Sequence, residues 1–88
     1  MILINFGIQD GEQRYTEYDW SRDYTQKDYD DGKVSDLTLI KNMYSVGDND
    51  FDEDDPNSYW INGFTSLVWV ESVKDITQKE LDTMRKYV

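Results

Sequence analysis

Ile2, Ile4, Phe6 and Ile8 alternate with Leu3, Asn5 and Gly7 and run into Gln9-Asp10-Gly11. A period of two in apolar side chains marks a strand that turns one face to a core. A glycine just after it supplies the positive φ of a tight turn. Such a strand needs a partner, and residues 12–20 are the next candidate. A three-residue loop with Gly11 left-handed pairs Ile8 with Glu12, Ile4 with Thr16 and Ile2 with Tyr18. It lays Tyr18 and Trp20 on the apolar face and turns Gln13, Glu17 and Asp19 outward. A two-residue loop instead sets Glu17 and Asp19 opposite Ile4 and Ile2. Burial of two carboxylates is costly, so the three-residue loop is expected.

Residues 21–32 are polar, punctuated by Tyr24 and Tyr29 and closed by Asp30-Asp31-Gly32, which reads as a loop with room for a helical turn. In 34–46, Leu37, Ile40 and Tyr44, with Met43 beside them, suit a helix capped by Ser35, while Leu37-Thr38-Leu39-Ile40 also suits a strand. Residues 47–58 read as a loop holding six acids and the single proline. Asn62-Gly63, between Tyr59-Trp60-Ile61 and a segment over 64–73, is a hairpin signal. Leu67, Trp69, Glu71 and Val73 alternate there with Ser66, Val68, Val70 and Ser72, apolar on both faces through the middle, as in a central strand. Tyr18, Trp20, Phe64 and Trp69 are expected in the core. Thr77-Gln78-Lys79-Glu80 is a capping box, with Ile76 and Leu81 as its hydrophobic staple. Leu81, Met84 and Val88 mark that helix's buried face. Together these elements predict one α+β domain over 1–88: an antiparallel or mixed sheet of about four strands, with a C-terminal helix and a central helix packed on one face.

Charge bears on function more than on fold. Nineteen Asp and Glu oppose nine Lys and Arg with no His, a net −10 on 88 residues, beyond the charge of about 2–8 that suffices for solubility. Residues 1–31 carry 8 acids and 3 bases, and residues 44–73 carry 7 acids and no base, whereas 32–43 and 74–88 together carry 4 acids and 6 bases. A charge of this sign disfavours direct contact with nucleic acid or an anionic membrane and favours a basic protein partner. No apolar stretch is long enough to span a bilayer, and the opening Met1-Ile2-Leu3 has neither a basic leader nor a cleavage pattern. The expected location is therefore the cytoplasm.

Catalysis has little to draw on. Without His and Cys the commonest general base and the thiolate nucleophile are missing, and nineteen acids single out no carboxylate pair. No enzyme activity, cofactor or metal is expected. Asp48, Asp50 and Asp52 match the opening of a calcium loop, but Glu53 stands where glycine is required and Tyr59 where the bidentate Glu belongs. The pattern left is acidic and aromatic. Tyr15, Tyr24, Tyr29, Phe51, Tyr59 and Trp60 sit among carboxylates, and aromatic rings commonly anchor interfaces whose charges steer encounter. In an extended chain, side chains two apart lie about 6.6–6.8 Å from each other on one side. Asp48, Asp50, Asp52 and Asp54 have that spacing, as do Glu17 and Asp19. Duplex DNA places a phosphate about every 3.4 Å along a strand, so such rows suit a Lys/Arg groove made for a phosphate backbone.

With fewer than 100 residues, no Cys, 19 acids and the acidic cluster at 48–55, the chain resembles the small acidic proteins that phages use against host defences, anti-CRISPR and anti-restriction proteins of the DNA-mimic kind. The resemblance lies in whole-chain character and in no diagnostic motif. It implies a stoichiometric inhibitor of a nucleic-acid-binding nuclease or surveillance complex. The expected contacts are Asp48, Asp50, Asp52, Glu53, Asp54 and Asp55, then Glu17, Asp19, Asp23, Asp28, Asp30 and Asp31, with Tyr24, Tyr29, Phe51 and Tyr59 as aromatic anchors. The alternative is an acidic interaction or regulatory subunit whose basic partner has no tie to nucleic acid.

Overall fold

The computed structural model describes residues 1–86. In chain order its elements are β1 (Ile2–Asp10), β2 (Gln13–Ser21), α1 (Gln26–Asp30), α2 (Asp36–Met43), β3 (Phe51–Asp52), β4 (Asp55–Ile61), β5 (Ser66–Asp75) and α3 (Gln78–Arg85). The strands form one antiparallel sheet in the order β2-β1-β5-β4-β3. The α+β class holds, with its C-terminal and central helices. There are five strands instead of about four, because 47–58 is not all loop: it supplies β3 and the start of β4. Composition hid these strands, since Asp is depleted in strands generally, yet Asp52 and Asp55 lie within them. Short carboxylates make the reversal feasible by satisfying turn amides. Asp52 Oδ1 accepts from the Asp54 amide at 3.2 Å, and Asp55 accepts from the Asn57 amide at 3.2 Å and the Ser58 hydroxyl at 2.9 Å.

β1 is buried on both faces, and this corrects two expectations. Ile2, Ile4, Phe6 and Ile8 face the front of the sheet, where Val34 and the α2 residues Leu39 and Ile40 cover them together with Val68 and Ile61. Leu3 points to the reverse face and packs with Ile76 and Leu81 of the α3 region, among Tyr18, Trp20 and Met84. The two longer helices therefore lie on opposite faces, not on one. The hairpin register is also neither of the two weighed from sequence. Asp10 pairs with Gln13 across a two-residue Gly11-Glu12 loop, so that Glu17 faces Phe6, Asp19 faces Ile4 and Trp20 faces Leu3. Gly11 has φ +60° and Glu12 does not share the positive sign, the pattern of a type II′ turn. The burial cost that argued against Glu17 and Asp19 on the core side does not arise in full. β2 is an edge strand, and both residues there are only half-buried. Tyr18 and Trp20 find their apolar cover on the reverse face instead.

β5 is central, as expected, but its alternation is broken. Ser72 faces Asn5 while Val70 faces Phe6, which makes Glu71 the extra residue of a bulge. Val73 thereby joins Val68 and Val70 on the front, instead of following Leu67 and Trp69. The Asn62-Gly63 hairpin forms with four loop residues. Asn62, Gly63 and Phe64 take φ of 54°, 68° and 67°, and the loop closes through Thr65, whose hydroxyl donates to the Asn62 carbonyl at 2.8 Å. Phe64, expected in the core, is 64% exposed at this tip.

α2 settles the ambiguity at 34–46 as a helix, with the Ser35 hydroxyl accepting from the Thr38 amide at 3.2 Å. α3 carries its capping box as read: Glu80 N donates to Thr77 Oγ1 and Thr77 N to Glu80 Oε1, each at 3.1 Å. Ile76 and Leu81 are buried beside it. Val88, assigned to its buried face, lies outside the described residues. No helix among the described residues is long and apolar enough to cross a membrane.

Candidate functional site

The front of the molecule is built from β2, the helices α1 and α2, and the strap that follows α2. Tyr44 caps α2 and meets Phe6 edge-on, with ring centroids 5.5 Å apart and planes at 88°. Its hydroxyl donates to Glu17 Oε2 at 3.0 Å. From there Val46 packs on the front core and Phe51 pairs with Tyr59. The strap 44–50 thus crosses the sheet from its β2 edge to its β3 edge. Asp48 on this strap forms an ion pair with Lys41. Asp50 accepts from the Gly47 amide at 2.8 Å. Asp48, Asp50, Asp52 and Asp54 consequently do not form one extended row. They are divided between a turn, β3 and the Glu53-Asp54 reversal, and the phosphate-like spacing inferred for them is lost. Glu17 and Asp19 keep that spacing, because β2 is extended along its length.

α1 brings together another part of the expected set. Asp28 closes a capping box with Thr25, accepting from its amide at 3.0 Å. Asp30 ends the helix and Asp31 caps it, both exposed. Asp23 is exposed in the preceding bend. Tyr29 donates to Asp36 Oδ1 at 2.6 Å. Tyr24, Tyr29 and Tyr59 pack on the front core, so three of the four proposed anchors serve the fold. Phe51, 41% exposed, remains a surface ring. Sequence reasoning missed Tyr44 and Asp36. Both are half of a tyrosine–carboxylate pair, and nothing in residue spacing links position 44 to position 17.

These pairs orient carboxylates and shift the phenols. Burial first, then the hydrogen bond to Asp36 and the charges of Asp36 and Asp30, push the Tyr29 hydroxyl up to about 12. Burial, then Glu17, holds the Tyr44 hydroxyl higher still, with smaller pushes from Tyr15 and Asp19. Both phenols stay donors at neutral pH, and a donated proton turns Glu17 and Asp36 into fixed parts of the surface.

Charge is divided unevenly between the two faces. The front elements carry eight acids, Glu17, Asp19, Asp28, Asp30, Asp31, Asp36, Asp48 and Asp50, against three bases, Lys27, Lys33 and Lys41. Six of the nine bases belong to the reverse side. Arg14 and Lys74 sit on its strand positions, Lys79, Arg85 and Lys86 on α3 and its cap, and Arg22 donates to Gln78 of α3 at 2.5 Å. Five acids accompany them there, Glu71, Glu80 and Asp82 together with Asp52 and Asp55 beside Arg14. The remaining acids, Glu53 and Asp54 among them, occupy loop tips and the sheet margin. Asp52 and Asp55 help line a shallow cavity of about 280 Å3 on the reverse face with Gln9, Arg14, Ser58, Leu67 and Trp69. Among the described residues, no three acidic side chains converge into a metal-holding group. Compared with protein-family models, curated proteins and solved structures, the chain matches none.

Proposed function

We propose that this protein is a stoichiometric inhibitor that occupies the basic nucleic-acid-binding surface of a host defence effector, a CRISPR–Cas or restriction complex, with its acidic front. The observation that carries this reading is the eight-to-three excess of acids over bases on the front elements, with the bases gathered behind. A uniformly charged sphere repels its own compaction and aims at nothing. A body with a negative front and a basic back has an orientation in a cationic groove, and its field steers approach. Glu17 and Asp19 supply two carboxylates at strand spacing, and Asp48 and Asp50 add negative charge on the strap without continuing that row. Phe51 adds an exposed ring beside it.

The test is inhibition of DNA cleavage by a panel of guide-loaded Cas nucleases and restriction enzymes, with saturation at equimolar protein. Glu17→Gln, Asp19→Asn, Asp48→Asn and Asp50→Asn should each weaken binding by roughly 1.5- to 5-fold, as exposed ion pairs do. Together they should abolish inhibition, and Asp82→Asn on the reverse side should not. Competition by duplex DNA or guide RNA is expected. A captured basic partner that DNA does not displace would replace this reading with that of an acidic regulatory subunit.

A further inference from the structure

We infer that the outer edge of β2 takes up an extended basic segment of the partner as a sixth strand, an inference that rests on the acidic-front reading above. β2 pairs with β1 alone. In a two-residue hairpin the pair flanking the loop, here Asp10 and Gln13, exchanges both backbone hydrogen bonds, and the pattern then alternates. Tyr15, Glu17, Asp19 and Ser21 therefore bond to β1. Arg14, Thr16, Tyr18 and Trp20 direct their N–H and C=O groups outward.

An edge of this length is usually blunted by a bulge, a proline, an inward charge or a short strand. The opposite edge follows that rule, since β3 has two residues and Pro56 follows on β4. β2 does not. Its nine pairs with β1 run without a register shift, and it contains no proline. Its protection is Glu17 and Asp19, half-buried on the front and held beside the Tyr44 hydroxyl. These carboxylates select the occupant. Antiparallel self-pairing centred on Glu17 sets Glu17 opposite its own copy, and centring on Tyr18 sets Glu17 opposite Asp19. Like charges directly opposed are destabilising, and two chains of net −10 repel at longer range. A strand with Lys or Arg at alternate positions has the reverse fit. Glu17 and Asp19 stand at its closely spaced, non-hydrogen-bonded pairs, so cations two residues apart meet both. Residues on its other side meet Thr16 and Tyr18. Backbone pairing provides affinity and the alternate charges provide selection, the division of labour of strand addition.

The probe is a ten-residue peptide alternating Lys with Thr or Val, titrated into the full chain, beside the same peptide N-methylated at alternate amides. The parent peptide should bind and protect the amides of Arg14, Thr16, Tyr18 and Trp20 from exchange. N-methylation should weaken it at least about tenfold, several backbone bonds being lost at once. Thr16→Pro removes one outward N–H and leaves the β1 ladder whole, a placement edge strands tolerate, and it should weaken the parent peptide similarly. If this variant fails to fold, the N-methylated arm decides alone. Equal affinity of the two peptides, with the four amides unprotected, overturns strand addition. Binding that is still salt-sensitive then leaves the acidic front standing, and loss of salt sensitivity as well ends both. A concentration-dependent dimer protecting the same amides would assign the edge to a second copy and refute the proposal.

Discussion

Gly7 lies on the reverse face of β1, opposite Trp69 on one side and Thr16 on the other. The Trp69 indole rests over it, with Nε1 donating to Glu71 Oε1 at 2.8 Å and the Arg14 guanidinium 4.9 Å from the ring centroid. A Cβ at Gly7 would overlap Cε2 and Nε1 of that ring and lie 2.5 Å from Glu71 Oε1, about 1 Å inside contact distance. Gly7 has no positive φ, so the backbone itself accepts alanine. Reduced freedom of the unfolded chain would then favour Gly7→Ala by about 0.4–1 kcal/mol. Against this stand overpacking of about 1–3 kcal/mol, the cation–π contact at about 0.5–1 kcal/mol, and an exposed hydrogen bond worth about 1 kcal/mol or less. The balance is a loss of roughly 0.5–4.5 kcal/mol, read as a lower urea midpoint at unchanged slope. In thermal melts each kcal/mol corresponds to about 4–8 °C for a domain of this size. The same substitution in a Trp69→Leu background should cost nothing or stabilise slightly, because the overlapping ring is gone. A Gly7→Ala protein as stable as the parent with Trp69 in place would refute the stacking argument.

The tyrosine–carboxylate pairs predict an alkaline limit. Tyr29 is held protonated to about 12 and Tyr44 beyond that, against about 10 in the unfolded chain. A raised folded-state value contributes stability that is complete below about pH 10 and is lost as pH climbs through the folded values. Unfolding free energy should therefore fall above pH 10, and Tyr29→Phe with Tyr44→Phe should flatten that fall. An unchanged slope in the double variant would remove these pairs from the account. On the reverse face, Leu81 is fully buried in a small cluster, so Leu81→Ala should cost about 2–3 kcal/mol, the low end for such truncations. Loosening of α3 should expose Trp20, which lies under Arg85 at 5.4 Å, and red-shift its fluorescence. Destabilisation with no change in Trp20 emission would contradict the second core.

A strongly acidic small domain must place its carboxylates where water or a donor reaches them, and this fold does so by different means in different segments. In 48–55 most acids serve their own turns or, for Asp48, an ion pair with Lys41. Charge density there reflects turn chemistry as much as any interface. On β2 the carboxylates point to the core side yet stay half-exposed at the sheet edge, Glu17 being tied to Tyr44. The second group, fewer in number, keeps the strand spacing that the first has lost.

Local signals were sufficient for what depends on neighbouring residues. The strand period of Ile2 to Ile8, the Asn62-Gly63 hairpin, the Ser35 cap and the Thr77–Glu80 capping box are short-range patterns whose energetics close within a few residues, and each is realised. Register and face were not decided at that range. Alternation says that Tyr18 and Trp20 share a side, opposite Glu17 and Asp19, but which side is the core depends on what covers each face. Only the packing of α3 over Leu3 gave the reverse face an apolar cover, and only Tyr44, twenty-seven residues beyond Glu17, gave the front carboxylate its donor. A bulge at Glu71 then moved Val73 across the sheet. Composition determined how much charge the chain carries; the tertiary structure determined which side carries it, because a residue's exposure is set by contacts far away in sequence.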